Sequence, residues 1–244
     1  MIHNPLSYIS IVLVETTHSG NIGSVARAMK TMGLVKLILV NPMTKINHDS
    51  VALSSSAHDI LETAIIMPDL PSAIQDCHLV IGTSARSRSL DWKQLSPQEI
   101  GEKAIHCHSD FQCAIVFGRE KSGLTNEELQ LCHYHAIIPT QPNYSSLNLA
   151  QAVQIIAYEI YKTHQKRHSL DVSHKNQIEY PKKEELSLFY HYLETLLITT
   201  QFIQKDNPRH IMAKLKRLFN KASLEKNELN ILMGILTTTM KKIK

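Results

Sequence analysis

Three charged residues, Arg119, Glu120 and Lys121, stand between Gly118 and Gly123 in "VFGREKSGLTNEEL" (116–129), directly after an apolar run. Strand ends followed by glycine turns are where open α/β sheets bind ligands, so the charges raise the question of which ligand they meet. Three other stretches carry reactive or polar groups at similar places. In "VETTHSGNIGSVARAMKTMG" (14–33), Gly20-x-x-Gly23 joins a β-rich run to a helical pattern that carries Arg27. In "GTSARSRSLDW" (82–92), Thr83 and Ser84 end a strand pattern, and Arg86 and Arg88 add positive charge. In "IIPTQPNYSSLNLAQAVQ" (137–154), two prolines stiffen a loop that runs through Ser145 and Ser146 into a helix.

The familiar cofactor signatures are absent. Gly20-x-x-Gly23 is neither the G-x-G-x-x-G of dinucleotide folds nor a P-loop, and the second strand ends in Asn41-Pro42 with no acid for a ribose. No G-x-S-x-G elbow marks a hydrolase. "HCH" (106–108) and "CHYH" (132–135) cluster thiols and imidazoles, yet neither C-x-x-C nor H-E-x-x-H spacing supports zinc, so no metal is expected.

Single residues have bland readings too. Arg27 shares a polar helix face with Ser24 and Thr31, as a solvated arginine would, or as one reaching a phosphate or a neighbouring subunit would. Glu120 could form a surface salt bridge. An N-cap role explains one of Ser145 and Ser146, but not Asn148, expected inside the first helical turn despite its poor helix propensity.

These loops need a scaffold. Strand patterns ("YISIVLVE", "KLILVNP", "AIIMPDL", "HLVIGTS", "QCAIVFG", "HAIIP") alternate with helical ones, ending in the long "SSLNLAQAVQIIAYEIYKTHQKR". In "NIGSVARAMKTMG", Ile22, Val25, Ala26 and Met29 fall at helical spacing, closed by Gly33. Continuous apolar strands between helices predict an α/β fold with a parallel sheet covered on both faces. A polar linker over 168–181 then leads to helices at roughly 182–203, 208–221 and 224–242, dividing the 244 residues into parts 1–167 and 182–244.

Charge follows the same division. Residues 1–168 hold 13 Lys and Arg against 14 Asp and Glu, a net of −1; residues 169–244 hold 13 against 8, a net of +5. A polyanion would be drawn to the tail. There, Ile211, Leu215, Leu218 and Ala222 suggest an apolar stripe, and His210, Lys214, Arg217 and Lys221 share another face that could track phosphates. No membrane span or secretion signal is visible, and four unpaired-looking cysteines fit the cytoplasm.

"NIGSVARAMKTMG", "FGREKSGLTNEEL" and "IP…YSSLNLA" resemble the three motifs of the SPOUT methyltransferases, in the branch of tRNA and rRNA ribose 2′-O-methyltransferases. With "ELNILMGIL" near the end, the resemblance covers nearly the whole chain and is closest to the J-type. It implies a trefoil-knotted sheet, a homodimer, S-adenosyl-L-methionine as methyl donor, and tRNA as substrate. The ribose of cytidine or uridine 32, the first nucleotide of the anticodon loop, would be methylated. Carried over residue by residue, Arg27, Glu120, Ser146 and Asn148 would act in catalysis. Thr83, Ser84, Ala85, Gly118, Ile138, Ser145, Ser146 and Leu147 would contact the donor, with Gly118 and Gly123 letting backbone approach it. Arg86, Arg88 and the tail cations would bind RNA. The third motif departs from the wider branch: Thr140–Tyr144 replaces a glycine-containing loop, and Leu149-Ala150 follows Asn148. The competing reading is an RNA-binding protein that keeps the fold without catalysis.

Overall fold

The computed structural model describes residues 4–84, 94–105, 111–168, 179–204 and 209–243. It divides into two compact units, Met1–His174 and Lys175–Lys244.

The first unit is built on seven strands: β1 (Ile9–Val14), β2 (Lys36–Val40), β3 (Ile65–Met67), β4 (Leu79–Thr83), β5 (Gln94–Leu95), β6 (Cys113–Phe117) and β7 (Tyr134–Ala136). They form one sheet in the order β3-β2-β1-β6-β4-β7-β5, with every pair parallel. β6 enters a gap left between β1 and β4, and β7 enters one left between β4 and β5. Late strands inserted between early ones are what a threaded chain requires.

Side-chain alternation explains why these strands read as continuous apolar runs. Ile9, Ile11 and Leu13 of β1 join Cys113, Ile115 and Phe117 of β6 in one core, while Val12 and Val14 join Ala114 and Val116 in the other. Both faces are buried, so both phases are mostly apolar, with Ser10 of β1 and His135 of β7 as buried polar exceptions. The first core is closed by α1 (Ser19–Thr31), α3 (His58–Glu62), α5 (Pro97–Ile105) and α7 (Leu149–His168). The second is closed by α4 (Leu70–Ile74) and α6 (Asn126–Gln130).

On α1, the expected stripe of Ile22, Val25, Ala26 and Met29 is fully buried. The helix closes at Met32 and Gly33, whose φ of 72° is the left-handed conformation glycine permits. Between β2 and β3, α2 (His48–Ser54) is held by an Asn47 capping box and packs so closely on α1 that a Cβ at Gly23 would overlap the Ser50 backbone.

The second unit is helical: α8 (Lys183–Thr199), α9 (Arg209–Ala222) and α10 (Lys226–Ile243). Phe189, Tyr190, Met212, Leu229 and Leu236 form its core, with Phe189 edge-on to Phe219 at 5.0 Å. The apolar stripe on α9 is rotated from the expected one. Ile211, Met212, Leu215 and Phe219 pack inward, whereas Leu218 is 57% exposed and Ala222 is exposed. Met212 and Phe219 fill the core on this face, and Tyr190 donates to the buried Asn220 Oδ1 at 3.2 Å beside them, which leaves Leu218 on the outer side.

Candidate active site

Three connections meet at the carboxyl ends of β4, β6 and β7. Thr83, Ser84, Gly118, Glu120, Ile138, Ser145, Ser146 and Leu147 line one cavity of ≈ 470 Å³. That volume is in the range of small-molecule sites, about 300–1,000 Å³. Thr83 lies within β4, and its hydroxyl donates to the Val116 carbonyl at 3.0 Å, tying the rim to the neighbouring strand. Ala85, Arg86 and Arg88 lie outside the described residues.

The turn after β6 closes on itself. Arg119 and Gly123 form an isolated antiparallel bridge, and the Gly123 N–H donates to the Arg119 carbonyl at 2.9 Å. A Cβ at Gly118 would overlap the backbone of Gly123 and Leu124, and Gly123 has φ 68°. Both glycines line the cavity and also have a use within the turn itself. Gly118 makes room for the turn's own backbone, and Gly123 supplies its left-handed residue.

The three charges between them face different ways. The Arg119 Nη1 and Nη2 donate to both Glu128 carboxylate oxygens at 2.9 and 3.0 Å, and its Nε donates to Glu15 at 2.8 Å. Glu128 also completes the Thr125 capping box that starts α6. Glu120 forms no ion pair among the described residues. Its carboxylate accepts from the Thr17 N–H and hydroxyl, the His18 N–H and the Asn21 amide, at 3.0–3.3 Å. Burial pushes the Glu120 carboxyl up, but donation from Asn21, its own backbone and Thr17 outweighs it and leaves the pKa below the ordinary value. Lys121 is exposed on the cavity rim.

Asn21 passes this connection onward, since its Oδ1 accepts from Asn148 Nδ2 at 3.0 Å. Asn148 lies just before α7, not inside its first turn as expected. Its Oδ1 caps the helix by accepting from the Ala150 N–H at 2.9 Å, and its own N–H donates to Gln151. Asparagine is a strong N-cap, so Ser145 and Ser146 are left free to line the cavity. The first, second and third loops are thus joined through Asn148, Asn21 and Glu120. Asn21 and Thr17 were missed in the sequence, although Asn21 stands within the first motif.

Arg27 is not brought into this cavity. It is exposed on α1 and makes no hydrogen bond or ion pair to another described residue of its own chain.

The comparisons with known proteins fit this geometry. The model of the SpoU rRNA Methylase family matches residues 8–158, the sheet with all three loops. The chain belongs to that family. A second model, the C-terminal domain of the tRNA methyltransferase TrmJ, matches residues 184–244 of this SpoU methylase. The tRNA (cytidine/uridine-2'-O-)-methyltransferase TrmJ of Photorhabdus laumondii is 50% identical over 239 residues, covering 98% of this chain and 99% of that one. A methylase family protein from Haemophilus influenzae superposes with a TM-score of 0.67 at 47% identity, over 98% of each chain. TrmJ from Z. mobilis superposes at 0.80 with 29% identity, over 95% and 98%.

The remaining candidates of the SpoU methylase have structural settings. Cys132 bonds the Glu128 carbonyl, His133 Nδ1 accepts from the Val80 N–H, and His135 meets the Leu129 carbonyl. "HCH" is outside the described residues. On α9, His210, Lys214 and Lys221 are exposed and Arg217 is half-buried. No described helix is long and apolar enough to cross a membrane.

Proposed function

We propose that this protein methylates the 2′-hydroxyl of cytidine or uridine 32 in tRNA, using S-adenosylmethionine. The observation that carries this reading is one cavity lined by the connections after β4, β6 and β7, with the first motif loop tied to its wall from outside through Glu120, Asn21 and Asn148. The full-length identity to methyltransferases named for tRNA cytidine and uridine supports the substrate class.

The residues present suit the donor. The cavity combines the apolar walls of Ile138 and Leu147 with hydroxyls of Thr83, Ser145 and Ser146, as a nucleoside bearing a polar tail requires. When bound, S-adenosylmethionine supplies the methyl group together with its own leaving group. The chain's part is to hold the ribose hydroxyl in line and ease loss of its proton. Ser146 and Asn148 orient the hydroxyl, and Glu120 fixes the amides of the first loop. Arg27 stays protonated near neutral pH, which suits it to grip phosphate and stabilise developing alkoxide charge rather than to act as a base. Its place outside its own chain's cavity suits a homodimer in which it serves the partner's site. Residues 1–167 act as the methyltransferase part, and 182–244 as a tRNA-binding extension in a cytoplasmic enzyme. Arg86, Arg88 and the α9 cations are assigned to RNA.

Mass spectrometry of tRNA nucleosides after incubation with donor tests the proposal. Ribose-methylated cytidine or uridine at position 32 is expected; methylation confined to bases or to ribosomal RNA would refute it.

A further inference from the structure

Two consecutive residues of the 118–123 turn grip the connection between β1 and α1 at two points. Glu120 takes its far part, through Thr17, His18 and Asn21. Arg119 takes its near end, through Glu15. Glu15 lies just beyond β1 with a φ of 49°, a left-handed conformation that a residue with a side chain rarely adopts. Such backbone persists where its surroundings over-determine it. Here the surroundings are specific. The Glu15 N–H donates to the Val40 carbonyl, and Arg119 Nε holds its carboxylate at 2.8 Å. Asn41, at the end of β2, is itself left-handed with φ 41°.

Arg119 can do this because its fork is fixed elsewhere. Both terminal nitrogens are occupied by Glu128, and Nη1 also reaches the Gly123 carbonyl at 3.3 Å. That leaves Nε aimed at Glu15 with little freedom to swing away. Lysine, with one terminal nitrogen, could not serve both partners in this geometry.

We infer that Arg119, acting through Glu15, is a positioning residue for the transfer reaction. It sets the path of residues 15–18, hence the placement of Asn21 and of the helix bearing Arg27, against the cavity. The inference rests on the methyltransferase reading, but Glu15 itself does not line the cavity. Donor binding and alignment for reaction therefore separate at this residue.

The test is Glu15→Gln in the full chain, which keeps the side-chain shape and removes the charge that Arg119 holds. Donor affinity by calorimetry with S-adenosylmethionine should stay within about threefold of wild type, while the single-turnover rate at saturating donor and tRNA falls about tenfold or more. Amide hydrogen exchange at Thr17 and His18 should quicken by more than the loss of global stability accounts for, the thermal midpoint falling only as far as the lost Arg119 ion pair requires. Arg119→Lys is the second variant; Arg119 itself lines the cavity, so its donor affinity is measured alongside, and it should show the same rate loss at saturating donor and the same faster exchange even where Glu15→Gln folds poorly. A wild-type rate in both variants, or a rate loss that only tracks the unfolded fraction, would overturn the inference. Absence of tRNA methylation by the wild-type chain would instead overturn the functional reading. Exchange at Thr17 and His18 would still decide whether Arg119 positions the loop, and unchanged exchange would refute that.

Discussion

Glu120 is held by donors on a facing loop rather than by a cation, and that changes what its loss should do. Glu120→Gln turns one acceptor oxygen into a donor that meets the Thr17 and His18 N–H groups or the Asn21 amide. Removing one partner of a charged hydrogen bond costs about 1.5–3 kcal/mol, so methylation should fall at least about tenfold with the chain still folded. The pH dependence has a definite sign. The folded pKa of Glu120 is depressed below 4.5, as is that of Glu15, where the Arg119 hydrogen bond is the main cause. Their stabilisation is present above the unfolded value and is lost as pH falls through the folded values. The thermal midpoint of the wild type should therefore drop more steeply below pH 4.5 than that of Glu120→Gln. Equal slopes would show that Glu120 contributes nothing to acid stability.

Gly118 and Arg27 make opposite predictions. A Cβ at Gly118 meets the backbone of its own turn, so Gly118→Val should lower thermal stability by about 1–3 kcal/mol or more, together with donor affinity. Loss of affinity at full stability would show that only cavity space was filled. Arg27 makes no hydrogen bond or ion pair among the described residues, so Arg27→Ala should keep the wild-type midpoint and donor affinity while methylation collapses. A lowered donor affinity in that variant would place Arg27 at the donor instead.

At the scale of elements, the long strands were legible because a sheet buried on both faces tolerates mostly apolar residues. The start of α6 has a signal of its own, the spacing of Thr125 and Glu128 in a capping box. Asn148 was misplaced by a turn's edge. The sequence "SSLNLAQ" offers three residues that can cap, and only backbone geometry decides among them. The pairing of Glu120 with Thr17 was hidden as well, because it spans 103 positions and depends on β6 lying beside β1. Capping and site roles of Asn148 can be separated chemically. Asn148→Asp keeps the oxygen that accepts from Ala150 but removes the amide that donates to Asn21. It should retain helix stability and lose methylation, whereas Asn148→Ala should lose methylation and also about 1 kcal/mol of stability. Full activity in Asn148→Asp would leave Asn148 a helix cap alone.

For the whole molecule, charge and cavity are divided between the two units. The part holding the cavity is nearly neutral, and residues 169–244 carry the positive excess. The outward turn of Leu218 sharpens the expectation for α9, because His210, Lys214 and Lys221 project with it from the exposed side. If these cations hold phosphates, losing Lys214 or Lys221 should weaken tRNA binding and reduce the log–log salt slope by about one or less. Truncation after Arg167 removes the whole helical unit but no residue of the three motif loops. The first unit has its own two cores, so the shortened chain should fold and bind donor as before. Its tRNA affinity and its methylation at limiting tRNA should fall severely. Saturating tRNA should restore much of the rate, since the groups assigned to chemistry remain. Wild-type methylation at limiting tRNA would refute a substrate-gripping extension, and a rate still lost at saturation would show that the helices act in the chemical step as well.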